Sequence, residues 1–227
     1  MLRGMSTLSA LASELLARLP TMTDEERRLG LEVYRQLARG EPVLRISLAE
    51  ALDHPTHDVD ELLGHPNLKS LTHTDNNGRI IGFGGLAVRE MPHRFRIDGR
   101  TLYTWCAWDS LFIPVILGLE AEVESSAPGS TVRVRLRVSP DGVKRVQPPS
   151  AVMSFLLPTA QTFQADVLKA MASFCHFIFS FRIASLPRSG RNAIPIARSS
   201  PCQMPSNSAA GWLAHGGVQR SYRGDRA

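Results

Sequence analysis

The chain changes its hydrophobic period once, near Lys69, and this change limits the folds open to it. Before that residue, apolar side chains recur every three to four positions, as on the inner face of a helix. After it, apolar and polar residues alternate, most strictly where arginines separate Val132, Val134, Leu136 and Val138. Helices followed by half-buried strands predict an α+β fold whose sheet packs one face on a core and exposes the other.

The part of the chain before Lys69 carries several helix-start signals. Thr23 with Glu26, and Ser47 with Glu50, each place a hydroxyl residue three positions before a carboxylate, the spacing of a capping box. Helices are predicted over residues 8–19, 24–38, 47–52 and 56–64. A hairpin turn at Asp75-Asn-Asn-Gly78, between strands 70–73 and 79–88, follows them. Short helices followed by a hairpin predict a winged-helix-like module over residues 1–88.

Residues 89–181 are predicted to form a catalytic α+β core with a mixed or antiparallel sheet. Asp98-Gly99 marks a tight turn between two short strands, and the apolar stretch at residues 105–118 predicts a buried helix that Pro114 bends or splits. The strands are predicted at residues 95–97, 101–103, 120–125, 131–138, 143–146, 151–157 and 174–181, with a further helix at 161–172.

Residues 182–227 differ from the rest of the chain and are predicted to form an irregular tail. They contain seven Arg and one acidic residue, Asp225, so the net charge of +5 belongs to this segment and the remainder carries −1. Ser, Gly and Pro make up 16 of these 46 positions, with no helical or strand period. Two interpretations stay open: a disordered tail, or a shift of reading frame that replaced the original end.

Composition and patterning exclude several classes of function. Three scattered cysteines do not make a disulfide scaffold, which favours a reducing, cytoplasmic location. The apolar run at residues 111–117 is too short to span a membrane. The helix that would read DNA, at residues 56–63, carries three carboxylates and neither Lys nor Arg. Since phosphate contacts require cations, no nucleic-acid partner is expected.

A thiol and a carboxylate lie three residues apart in the apolar stretch. We expect Cys106 and Asp109 on one face of a helical turn, with Trp105, Trp108 and Tyr103 packed around them. A buried cysteine is commonly a small apolar residue, but a buried aspartate is costly unless it is paired or protonated. A second thiol, Cys175, follows 69 positions after the first, so only the tertiary fold could bring the two sulfurs together.

Four motifs carry a resemblance to a known family: Gly40-x-Pro-Val43, Asp75-Asn-Asn-Gly-Arg-Ile-Ile-Gly82, Leu102-Tyr-x-Trp-Cys-Ala-x-Asp109 and Ser173-Phe-Cys-His176. Over residues 8–181 the chain resembles the organomercurial lyases (alkylmercury lyase, MerB) of bacterial mercury resistance. The resemblance implies that the chain cleaves carbon–mercury bonds by protonolysis, giving a hydrocarbon and Hg(II).

The same resemblance implies a site made of Cys106, Asp109 and Cys175, which bind mercury as substrate and product. No resident cofactor is implied, because mercury is the substrate and product. Exogenous thiols or a mercuric reductase would remove the Hg(II). The likeness stops near Phe181, where family members continue into further structure. Cys202, in the tail, is therefore expected to be incidental. Two alternatives stay open: a winged-helix regulator that senses a soft metal through the two thiols, and a catalytically impaired relative that only binds Hg(II).

Overall fold

The computed structural model describes residues 21–126 and 131–155, together with the backbone of two short strands at 179–182 and 192–195. Within these residues the helices are α1 (Asp24–Leu37), α2 (Arg45–Leu52), α3 (Thr56–Gly64), α4 (Pro66–Lys69) and α5 (Asp109–Leu117). No helix in this part of the chain is both long and apolar enough to cross a membrane. The helices predicted at residues 8–19 and 161–172 lie outside the described residues.

The strands are β1 (Thr72–Thr74), β2 (Ile80–Phe83), β3 (Leu86–Ala87), β4 (His93–Ile97), β5 (Arg100–Thr104), β6 (Ala121–Ser126), β7 (Arg133–Ser139), β8 (Gly142–Gln147), β9 (Ala151–Phe155), β10 (Phe179–Arg182) and β11 (Asn192–Pro195). Eight of them form a sheet in the order β1-β2-β3-β5-β4-β6-β7-β8, and β10-β9-β11 form a second sheet. The strand pairings of both sheets are antiparallel. The α+β prediction is confirmed.

The large sheet is continuous across residue 88, because β2 pairs with β3 and β3 pairs with β5. The hairpin strands β1 and β2 therefore belong to the same sheet as strands of the predicted catalytic core. The winged-helix-like character of the first 88 residues stays a prediction.

Helix α1 begins as predicted. The Thr23 hydroxyl accepts a hydrogen bond from the Glu26 amide, and the Glu26 carboxylate accepts one from the Thr23 amide. The capping box predicted at Ser47 is wrong, because α2 begins two residues earlier, at Arg45. Ser47 instead donates its hydroxyl hydrogen bond to the Gln36 side chain or the Leu44 carbonyl oxygen, and so links α2 to α1.

Strands β6 and β7 show why the alternation of apolar and polar residues predicts which side chains are buried. Val123 lies opposite Leu136 on the buried face. On the exposed face Glu124 pairs with Arg135, and Glu122 with Arg137. One face of the sheet is thus packed on the core and the other is solvated, as the pattern predicts.

Three predictions made for the middle and end of the chain are wrong in detail. Residues 79–88 do not form one strand, because Gly84 and Gly85 turn the chain back between β2 and β3. The buried helix begins at Asp109 instead of residue 105. The tail contains a strand, Asn192–Pro195, paired with β9. Strand β10 falls at the end of the predicted strand 174–181, and the rest of that strand lies outside the described residues.

A buried histidine on β4 gives a stability prediction. The imidazole of His93 is fully buried, with Nδ1 3.0 Å from Ser125 Oγ, and burial lowers its pKa to about 4. Since the unfolded chain binds a proton there below about pH 6.5, His93 removes stability as the pH falls from 6.5 towards 4. Between pH 7 and pH 5, we expect the free energy of unfolding of wild type to fall by about 2 kcal/mol relative to that of His93→Gln.

The measurement is urea unfolding of both proteins at each pH. The two proteins are compared at each pH because Asp109, whose pKa is raised, increases stability as the pH falls and so opposes the effect of His93 in both of them. His57→Gln is the matched control, since that side chain is 79% exposed. The prediction would be contradicted if the free energy of unfolding changed with pH in His93→Gln as it does in wild type.

Candidate functional site

Cys106 lies in the turn between β5 and α5, and its position is fixed by the backbone around it. The Thr104 hydroxyl donates to the Cys106 carbonyl oxygen at 2.9 Å, and the Ser110 hydroxyl donates to that of Ala107 at 2.7 Å. All four residues are buried. The two buried hydroxyls therefore donate hydrogen bonds to backbone carbonyl groups of the turn, which belong to no helix or strand.

The turn brings Cys106 against Asp109, the first residue of α5. The Cys106 amide donates to Asp109 Oδ2 at 2.9 Å, and the Cys106 thiol also hydrogen-bonds the carboxyl group. The two residues are close, but they do not lie on one face of a helical turn as expected, since Cys106 precedes the helix. Cys175 lies outside the described residues.

The Asp109 carboxyl group is nearly inaccessible to water. Its residue is 5% exposed, and desolvation raises its pKa to about 7, although the hydrogen bonds from the thiol and amide of Cys106 act to lower it. Near neutral pH the group is therefore poised between its acid and its base form. A carboxyl in that condition can both accept and return a proton.

Sequence reasoning missed the glycine pair that closes one side of the site. Gly85 has φ +96°, and a Cβ at that position would stand 2.5 Å from Asp109 Cγ and 2.7 Å from Oδ1. The Trp105 amide donates to the Gly85 carbonyl oxygen at 2.9 Å. Two consecutive glycines inside a strand pattern are a signal of close backbone approach, and that signal could have found the site wall.

Sequence reasoning also missed Tyr34, on α1. Its hydroxyl donates to the Gly84 carbonyl oxygen at 2.6 Å, and the residue is 2% exposed. Burial, and then the nearby negative charge of Asp109, raise the pKa of the Tyr34 phenol. An aromatic residue beside the inner stripe of a helix usually only fills a core, so no local pattern marked it.

The aromatic residues expected around the site are partly buried. Trp105 contacts His73, with the ring centroids 4.6 Å apart and the planes nearly perpendicular. Trp108 packs against the hydrophobic core. Among the described residues no cluster of three or more His, Cys, Asp or Glu could hold a metal ion.

Fold and site together define an α+β protein with a buried thiol–carboxyl pair. Residues 86–186 match the model of the alkylmercury lyase family. The alkylmercury lyase of Staphylococcus epidermidis is 34% identical over 173 residues, covering 74% of this chain and 77% of that protein. The enzyme of Pseudomonas putida is 36% identical, covering 71% and 73%. The chain belongs to the alkylmercury lyase family.

Two further similarities agree with this assignment. The alkylmercury lyase of Streptomyces lividans is 41% identical, and the match covers 62% of each protein, less than two thirds of that relative. A solved structure, the mercury-bound form of MerB2, superposes with a TM-score of 0.65 over 91% of this chain and 98% of its own, at 18% identity. At that identity the likeness establishes a shared fold. The family suggested by the sequence motifs is confirmed.

Proposed function

We propose that this chain cleaves the carbon–mercury bond of organomercurials by protonolysis, with Cys106, Asp109 and Cys175 as the reacting groups. The observation that carries the proposal is the buried hydrogen-bonded pair, in which both the amide and the thiol of Cys106 contact the Asp109 carboxyl. Membership of the alkylmercury lyase family supplies the substrate class.

The thiols are suited to the metal. Thiolates are the softest ligands that a protein offers, and mercury is a very soft cation. A cysteine with an ordinary pKa is mostly protonated at neutral pH, so it has to lose its proton as it binds. The hydrogen bond from the Cys106 thiol to Asp109 gives that proton a direct acceptor.

The carboxyl group is suited to return the proton. An ordinary aspartate is protonated in only about one molecule per thousand at pH 7. Because Asp109 is buried, its carboxyl can keep the proton taken from the thiol until the carbon requires it. The dry surroundings also reduce loss of that proton to water.

The reaction balances without an oxidant or reductant. One thiol displaces the ligand X of R–Hg–X and releases HX. The other thiol then binds mercury, and the proton of this second thiol passes to Asp109. Asp109 returns it to the carbon, and the electron pair of the carbon–mercury bond forms the new carbon–hydrogen bond. The products are R–H and Hg(II) held by Cys106 and Cys175.

Release of the product completes the cycle. Exogenous thiols, or a mercuric reductase as the acceptor protein, would exchange with the two cysteines and remove the Hg(II). No resident cofactor takes part in this scheme.

The test is turnover of methylmercury by the purified full chain in thiol buffer, with methane measured by gas chromatography. We expect methane in proportion to Hg(II) formed, and monodeuterated methane when the protein is equilibrated in D₂O, because the transferred proton comes from exchangeable thiol and carboxyl groups. Buffer thiol without protein is the control. Stoichiometric mercury binding with no methane would refute lyase activity and favour the impaired Hg(II)-binding alternative.

A further inference from the structure

The turn between β2 and β3 contacts two residues that are far apart in the chain. On one side the Gly84 carbonyl oxygen accepts the hydrogen bond from Tyr34, and on the other Gly85 packs against the Asp109 carboxyl. Helix α1 is therefore joined, through two glycines, to the carboxyl group that hydrogen-bonds Cys106.

Gly85 fits this place for two independent reasons. Its backbone φ of +96° is one that residues with a Cβ rarely adopt, and a Cβ would overlap the Asp109 carboxyl. The Trp105 amide, bonded to the Gly85 carbonyl oxygen, holds the same peptide from the side of Cys106. The backbone at Gly85 is thus a wall that limits where the carboxyl can lie.

Tyr34 fixes the other half of the turn. Its hydroxyl has one hydrogen, which is donated to Gly84, and its ring packs edge-on against Phe83 with centroids 5.1 Å apart. Gly84 also has positive φ, +47°, and a Cβ there would be 2.2 Å from the Tyr34 hydroxyl oxygen. The hydroxyl therefore occupies space that only a glycine leaves open.

We propose that Tyr34 is a positioning residue for protonolysis: its hydroxyl fixes the Gly84–Gly85 turn, and the turn holds the Asp109 carboxyl against Cys106. The kinetic part of this inference rests on the proposed function. Tyr34 does not touch the reacting atoms. It acts through the turn, so its loss changes the rate of proton delivery without changing the affinity for mercury.

The first test is Tyr34→Phe, which removes the hydrogen bond to Gly84 and keeps the ring on Phe83. We expect kcat for methylmercury to fall about tenfold, because small displacements of a catalytic group are costly, while KM and Hg(II) binding stay unchanged. In an Asp109→Asn background, Tyr34→Phe should cause no further loss, since the two residues act in sequence. A further tenfold loss in that background, or an equal change in kcat and KM, would overturn the proposal.

The second test uses a matched pair of glycines. Gly85→Ala places a methyl group on the Asp109 carboxyl, and we expect kcat to fall about 100-fold. Gly99, in the turn between β4 and β5, also has positive φ, +76°, but nothing lies within 4 Å of its added Cβ. Gly99→Ala therefore has a comparable backbone strain and should keep wild-type kcat. Equal losses in the two variants would refute a role for the contact itself.

A readout without substrate separates the inference from the proposed function. The Cys106 amide is bonded to Asp109 Oδ2, so its hydrogen exchange, measured by NMR in the mercury-free protein, reports on the position of the carboxyl. We expect exchange of this amide to be about tenfold faster in Tyr34→Phe, with exchange in β7 unchanged. If wild type releases no methane, the proposed function fails, and this measurement still decides the role of Tyr34. Unchanged exchange would reject it.

Discussion

Replacing Asp109 by alanine is expected to leave mercury binding intact and to lower methane release by about 10²–10⁴-fold, the usual contribution of a general acid or base. The buried carboxyl is a hydrogen-bond partner of the buried Cys106 thiol, so its removal takes away both the acceptor and the donor of the transferred proton. The measurement is a single turnover of methylmercury, with bound mercury and methane quantified in the same sample.

Asp109→Asn is the matched variant. It keeps the shape of the side chain, and its amide oxygen can still accept from the Cys106 amide, but it cannot carry the proton. We expect the two variants to lose turnover equally. If Asp109→Asn folds and turns over like wild type, proton transfer through this residue is wrong. If both variants also lose mercury binding, Asp109 has a structural role in place of the proposed one.

The parts of the fold that sequence predicted are those set by local pattern. The capping box at Thr23 determines the start of α1, because both of its hydrogen bonds join residues three apart. Alternation in β7 determines which side chains are buried, because the period of a strand is two. In both cases the information lies within one short segment.

The parts that sequence missed depend on contacts between distant segments. Ser47 has the local features of a helix cap, yet its hydroxyl lies between two possible acceptors, one of them Gln36 on α1. Residues 79–88 have the composition of a single strand, but Leu86 pairs with Thr104 and the chain has to turn at the glycines to reach it. Tertiary pairing overrides local propensity at these positions.

In the candidate site, too, local pattern predicted some residues, and contacts between distant segments determined others. The spacing of Cys106 and Asp109, three positions apart in an apolar stretch where a lone carboxylate is costly to bury, predicts that they lie close together, and the family resemblance assigns both to the site. Tyr34 lies 75 positions before Asp109, and its link passes through backbone atoms of two glycines that have no side chains. No spacing rule on side chains can reveal such a link.

Serine in place of Cys106 or Cys175 is expected to reduce methane release on the order of 10³-fold or more, the scale of loss when one member of a catalytic unit is removed. A serine hydroxyl is a hard ligand and stays protonated near neutral pH, so mercury would keep only one sulfur ligand. With one sulfur, less electron density reaches the metal and the carbon–mercury bond persists. Mass spectrometry of either variant should then show a protein adduct that retains the whole organomercury group.

Cys202→Ser is the control, because it changes the third thiol of the chain and lies in the predicted tail, outside the residues that the structure describes. It should keep wild-type methane release and lose only mercury bound in excess of one equivalent. Wild type, in contrast, should give an adduct that contains mercury without the organic group. Methane release at the wild-type rate from Cys106→Ser or Cys175→Ser would eliminate cleavage by two thiolates, because one soft ligand would then be sufficient.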